Sequence, residues 1–145
     1  MTTSARNQPS PLVSVVVLAL RLVVGVVFVM HGAQKLFGAF GGGGIEGTAQ
    51  FFGSLGLAPA TFWAWVVGLV EFLGGIALAI GLLGRWVGVA LAINMLVAGV
   101  VVHLPNGFFV GNGGVEFVLT LFAASVFFVG YGSGRWSVDG MRSSG

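Results

Sequence analysis

Arg21 and Glu71 carry the most telling chemistry in this chain. Each stands near the middle of an apolar stretch long enough to cross a bilayer. Arg21 lies in PLVSVVVLALRLVVGVVFVM (Pro11–Met30) and Glu71 in FWAWVVGLVEFLGGIALAIGLL (Phe62–Leu83). A charge at the bilayer centre costs about 3 kcal/mol on insertion scales, so it faces protein and finds a partner. The expectation is that Arg21 and Glu71 touch, or share one bridging polar group. Such a pair fixes helix register, with Asn94 completing its hydrogen bonds. The same three residues could also form the polar floor of a ligand, proton or quinone site.

A second group collects toward the other end of the same stretches: His31, Gln34, Lys35, His103, Asn106 and Glu116. Imidazoles and a carboxylate move protons, and a lysine neutralises an anion. His31, Lys35, His103 and Glu116 are expected to converge in one pocket at the outer mouth, with Asn106 beside them. His103 precedes Leu104-Pro105, where a helix ends, so its direction is the least constrained. Two histidines and a distant carboxylate match no metal-ligand spacing, and no metal is expected. No nucleotide loop, Ser–His–Asp arrangement or haem-attachment motif is present. No cofactor is evident, and a quinone is the one candidate.

The elements that must position these groups follow from composition. Of 145 residues, 57% are hydrophobic and only 7% charged, and the mean hydropathy is +1.04. Soluble domains average about 25% charged residues, so this chain cannot solvate a globular surface. A spanning helix needs about 20 apolar residues. Pro11–Met30, Phe62–Leu83, Trp86–His103 and Val115–Tyr131 fit, the last two near the short limit. The fold class expected is all-α: an integral membrane four-helix bundle with a short interfacial helix, Ile45–Leu55, between the first two spans. Residues 1–10 read as a disordered tail, 11–135 as the four-span domain and 136–145 as a cytoplasmic tail. A cleaved signal peptide is not expected, because the apolar run is long and lacks a small-residue cleavage site.

Helical periodicity aligns the polar residues. Gly25, Phe28, Gly32 and Lys35 fall within about 40° of Arg21 around the first helix. Glu71, Gly75, Leu78 and Leu82 make a similar stripe, as do Glu116, Thr120, Ala123, Phe127 and Gly130. Arg21, Glu71 and Asn94 each lie about 14–15 Å below the outer ends of their stretches, taken as His31, Phe62 and His103. That suggests one midplane layer. The many glycines, including Gly84 and Gly88, read as surfaces for close helix packing.

Net charge is +2 and the basic residues are scattered, so nucleic acid is not an expected partner. Arg6, Arg85, Arg135 and Arg142 share one side and Lys35 lies on the other, which places both termini in the cytoplasm. There are no cysteines, so thiol chemistry would have to come from another protein.

Three segments together resemble the DoxX family of small four-helix bacterial membrane proteins. They are RLVVGVVFVMHGAQKLFG (Arg21–Gly38), EFLGGIALAIGLL (Glu71–Leu83) and HLPNGFFVGNGGVEF (His103–Phe117). The likeness runs from Arg21 to about Asp139. It carries over positions but no roles: Arg21, Gly25, Gly32, Lys35, Glu71, Gly74, Gly75, His103, Asn106, Gly107 and Glu116. The resemblance implies a bacterial inner-membrane location. Some relatives are linked to thiosulfate:quinone oxidoreduction. Mycobacterial members are associated with a membrane oxidoreductase complex that includes superoxide dismutase and a thiosulfate sulfurtransferase. The leading expectation is therefore an accessory or scaffold subunit of such a redox or sulfur-stress complex. The competing readings are a quinone- or oxoanion-binding oxidoreductase subunit and a small transporter or lipid-binding protein. Catalysis by the chain itself stays open. Partners expected are the lipid bilayer and soluble or membrane oxidoreductases, with a homo-oligomer as a further candidate.

Overall fold

The computed structural model describes residues 9–143. These residues form helices and turns, with no strand among them. Helix α1 is Pro11–Phe37, α2 is Gly44–Ser54, α3 is Ala60–Ile80, α4 is Gly84–Ala98, α5 is Glu116–Tyr131 and α6 is Val138–Arg142. Helix α4 runs on through a wide turn, Gly99–His103, and a tight turn, Leu104–Asn106. The all-α bundle expected from composition is what forms. Three helical stretches, Pro11–Phe37, Ala60–Ile80 and Gly84–Asn106, are long and apolar enough to cross a membrane, while α5 is shorter.

Local chemistry sets the ends of α1. Ser10 accepts a hydrogen bond from the Val13 N–H, and Pro11 opens the first turn. A proline there sacrifices no intrahelical bond. Gly38 stops the helix in a left-handed conformation (φ 69°), which costs glycine nothing. Ser10 is thus a helix cap; residues 1–8 of the expected tail lie outside the described residues.

Packing is antiparallel and close. Helix α1 lies chiefly on α3, α4 chiefly on α5, and α2 folds back over α3 and α1. The α1–α3 crossing depends on two facing glycines. A Cβ on Gly25 would sit 2.8 Å from the Gly75 carbonyl oxygen, and one on Gly75 would sit 2.7 Å from that of Gly25. Small residues let backbones meet in this way when lipid supplies no hydrophobic drive. Phe28, Leu78, Leu91 and Phe128 fill the centre and are fully buried.

Helix α2 matches the expected Ile45–Leu55 segment to within a residue and buries Thr48 and Phe52. The segment assigned to a cytoplasmic tail behaves otherwise. Residues 133–143 fold back under the bundle, and α6 docks on the α3–α4 turn through Asp139. No structural boundary separates residue 135 from 136.

Candidate functional site

The register of α1 against α3 decides which polar groups meet. Gly25 packs on Gly75 and Ala79, and Gly32 packs on Phe72. Moving up α1 therefore means moving back along α3. Lys35 reaches the level of Glu71, and Arg21 reaches the last turn of α3.

Glu71 is buried, with its side chain only 4% exposed. Its Oε2 accepts from Lys35 Nζ at 2.6 Å, and its Oε1 accepts from Asn94 Nδ2 at 3.0 Å. Each carboxylate oxygen thus has one strong donor, from α1 and α4 respectively. The ion pair ties the first helix to the third, and the amide brings in the fourth. This is the only salt bridge among the described residues. The Lys35 side chain keeps 25% of its surface exposed. His31 stands one turn before Lys35, within electrostatic reach of both Lys35 and Glu71. Its ring lies 5.8 Å from that of Phe117.

The expected Arg21–Glu71 contact does not form. Arg21 is fully engaged at the opposite end of the bundle. Its Nε donates to the Ala79 carbonyl at 3.1 Å and its Nη2 to that of Trp136 at 2.6 Å. Nη1 donates to the Ser133 carbonyl. Ala79 belongs to the last turn of α3, where carbonyls lack intrahelical partners. The guanidinium closes that helix end and anchors the chain after α5 in a single step. The depth estimate failed because it took His31 and Phe62 as level, whereas Gly32 of α1 packs on Phe72 of α3. Measured from His31, Arg21 seemed level with Glu71; the true register separates the two levels by about ten residues, or roughly 15 Å.

Asp139 completes this closure. Its carboxylate accepts from the Leu83 N–H at 2.9 Å, the Gly84 N–H at 3.0 Å and Ser133 Oγ at 2.6 Å. Leu83 is in the left-handed region (φ 52°), which a branched side chain adopts at a cost, and the Asp139 contact holds it there. Burial alone raises the Asp139 pKa. The bonds from Ser133, Gly84 and Leu83, with the nearby Arg142 charge, outweigh burial and hold it below the ordinary carboxylate value. Neither Asp139 nor Ser133 was singled out from sequence. The signal available was Ser137-Val138-Asp139-Gly140, a short capped turn, and Ser137 does cap α6.

The outer-mouth group is divided in the structure. His103 Nδ1–H donates to the Gly113 carbonyl at 2.8 Å, and Asn106 Nδ2 donates to the Val102 carbonyl at 3.1 Å. Glu116 Oε1 accepts from the Val110 N–H at 2.6 Å. Gln34 Nε2 reaches the Phe40 carbonyl at 3.3 Å. These side chains knit the loop 104–114 and the turn after α1. Lys35 has left the group for Glu71. The single pocket expected from His31, Lys35, His103 and Glu116 therefore resolves into a buried ion pair with His31 beside it, and a self-bonded loop. Glycine-rich loops supply many free backbone groups, and nearby polar side chains satisfy those first.

Comparison with known proteins agrees with this architecture. Over 104 residues, 72% of this chain and 71% of the relative, it is 38% identical to a Bacillus subtilis (strain 168) protein named "Putative oxidoreductase CatD". Over 135 residues, 85% of this chain and 78% of the relative, it is 33% identical to Rv3486, an uncharacterised membrane protein of Mycobacterium tuberculosis (strain H37Rv). No solved structure matches at a significant level. The DoxX family model matches residues 16–104, which hold Arg21, Lys35, Glu71 and Asn94 with the close-packed α1–α3 crossing. The chain belongs to the DoxX family.

Proposed function

We propose that this DoxX protein is a multi-span subunit of the bacterial inner membrane that supports a membrane-associated oxidoreductase or sulfur-stress complex, with the redox chemistry residing in partner proteins. One observation carries the reading: most of the polar side chains that could act as machinery are engaged in closing the fold. Arg21 bonds three carbonyls, Glu71 is held by Lys35 and Asn94, and His103 and Glu116 close their own loop. The chain also brings no thiol. The relative named as an oxidoreductase supports the link to redox chemistry. The same reading puts both termini in the cytoplasm, which the distribution of basic residues supports. Arg85 and Arg135 line the groove at the α6 end, Arg142 belongs to α6, and Lys35, counted from sequence on the opposite side, pairs with Glu71. The basic bias is thereby sharpened.

The test is reconstitution. The purified chain in liposomes containing quinone should reduce none of it with thiosulfate as donor. Native membranes lacking the chain should lose a quinone-linked oxidoreductase activity that co-purifies with it. Quinone reduction by the chain alone would overturn the assignment.

A second reading has its own support. The Lys35 side chain is partly open while its partner is sealed, and the His31 ring beside it makes no hydrogen bond among the described residues. A small oxoanion or a quinone carbonyl could approach that ammonium. Lys35→Ala would then remove binding of the ligand, whereas a scaffold would lose only stability.

A further inference from the structure

An open groove of about 700 Å³ lies at the α6 end, lined by Arg85, Trp86, Tyr131, Arg135 and Asp139 among others. Its charges are unbalanced. Asp139 is its only acid, and that carboxylate already accepts from Leu83, Gly84 and Ser133. Arg142 and Arg21 are the cations within electrostatic reach of Asp139. Arg85 and Arg135 have no carboxylate partner. Arg85 uses one of its five donors, on the Val129 carbonyl at 3.2 Å, and its stem lies over Gly132. It is therefore held in place with donors to spare. Arg135 is exposed, and its guanidinium makes no hydrogen bond among the described residues.

The surroundings say what anion this is. Trp86 is 74% exposed, and Trp136 and Tyr131 are also exposed at this end. Tryptophan and tyrosine gather where headgroups meet hydrocarbon. On another side the groove is bounded by Pro9, from which α1 leaves with Leu12, Val13, Val15 and Val16 exposed. Cationic donors thus sit next to bare apolar helix. A free anion uses only the first; an amphiphile uses both. Guanidinium pairs match the planar, multi-acceptor geometry of a phosphate.

The geometry points to a phosphate-recognition site between Arg85 and Arg135 that takes the headgroup of an anionic phospholipid, its acyl chains lying along the N-terminal part of α1. The detergent-solubilised full chain would be titrated with short-chain phosphatidylglycerol, short-chain phosphatidylcholine and inorganic phosphate, following tryptophan fluorescence. Phosphatidylglycerol should bind most tightly. Arg85→Gln with Arg135→Gln should weaken it by about 5-fold per arginine and roughly 25-fold together. Arg85→Lys with Arg135→Lys keeps the charge but loses the fork, and should fall between. Both arginines are exposed, so helix content by circular dichroism should not change. The lysine pair still reads the site should the glutamine pair fail to fold. Inorganic phosphate binding as tightly as phosphatidylglycerol would reassign the site to a free oxoanion and overturn the lipid. Equal affinity for the two lipids, or no loss in the glutamine pair, would overturn the site itself.

Discussion

Removing the Lys35 ammonium tests the interior most directly. Lys35→Met leaves the Glu71 carboxylate, 4% exposed, with Asn94 Nδ2 as its remaining donor. Stranding a buried charge costs about 3–5 kcal/mol. Lys35 is itself 25% exposed, so solvent already screens part of the pair and the lower end applies. Glu71→Gln should cost less, about 1–3 kcal/mol. The new amide can still accept from Asn94, and the freed ammonium has a route outward. The double variant removes both charges together and should recover much of the loss, giving a coupling of about 1.5–3 kcal/mol. The parallel cycle of Arg21→Met with Glu71→Gln should show coupling below about 0.5 kcal/mol, because separated sites add. Reversible unfolding in detergent micelles, followed by tryptophan fluorescence, measures the three single and two double variants against the parent. Strong coupling between Arg21 and Glu71, with none between Lys35 and Glu71, would refute the α1–α3 register on which the site rests.

The remaining expectations are briefer. Asp139→Asn should destabilise the α6 end by about 1–3 kcal/mol, since a neutral amide cannot accept from all three donors alike. The Asp139 pKa lies below its ordinary value in the folded chain, so its stabilisation is complete above the unfolded value and is lost as pH falls through the folded one. The acid limb of a pH–stability curve should accordingly shrink in Asp139→Asn, and an unchanged limb would contradict the closure. Gly25→Val should separate α1 from α3 and cost about 1–3 kcal/mol or more by overpacking; a thermal midpoint equal to that of the parent would count against the close crossing. Reporter fusions within residues 40–44 and 110–113 should report the periplasm, and a cytoplasmic signal at either would reverse the proposed topology.

Composition and periodicity were enough to specify an all-α membrane bundle with a short helix after the first span. These are properties of single segments. A run such as Pro11–Met30 is apolar whatever its neighbours do, and Gly107 and Gly113 take positive φ because their local turns require it. The sequence also marked Arg21, Lys35, Glu71 and Asn94 as unusual, and all four are engaged in polar contacts. Pairing is another matter. Which cation meets Glu71 depends on how far α1 slides along α3, and that is set by backbone contact at Gly25, Gly32 and Gly75. Taking the wrong residues of α1 and α3 as level displaces one helix along the other by about ten residues, or roughly 15 Å, enough to exchange Arg21 for Lys35. Asp139 and Ser133 were invisible for a related reason. They are ordinary residues in a polar stretch until tertiary structure folds that stretch beneath the bundle, where the free ends of α3 and α4 need donors and acceptors.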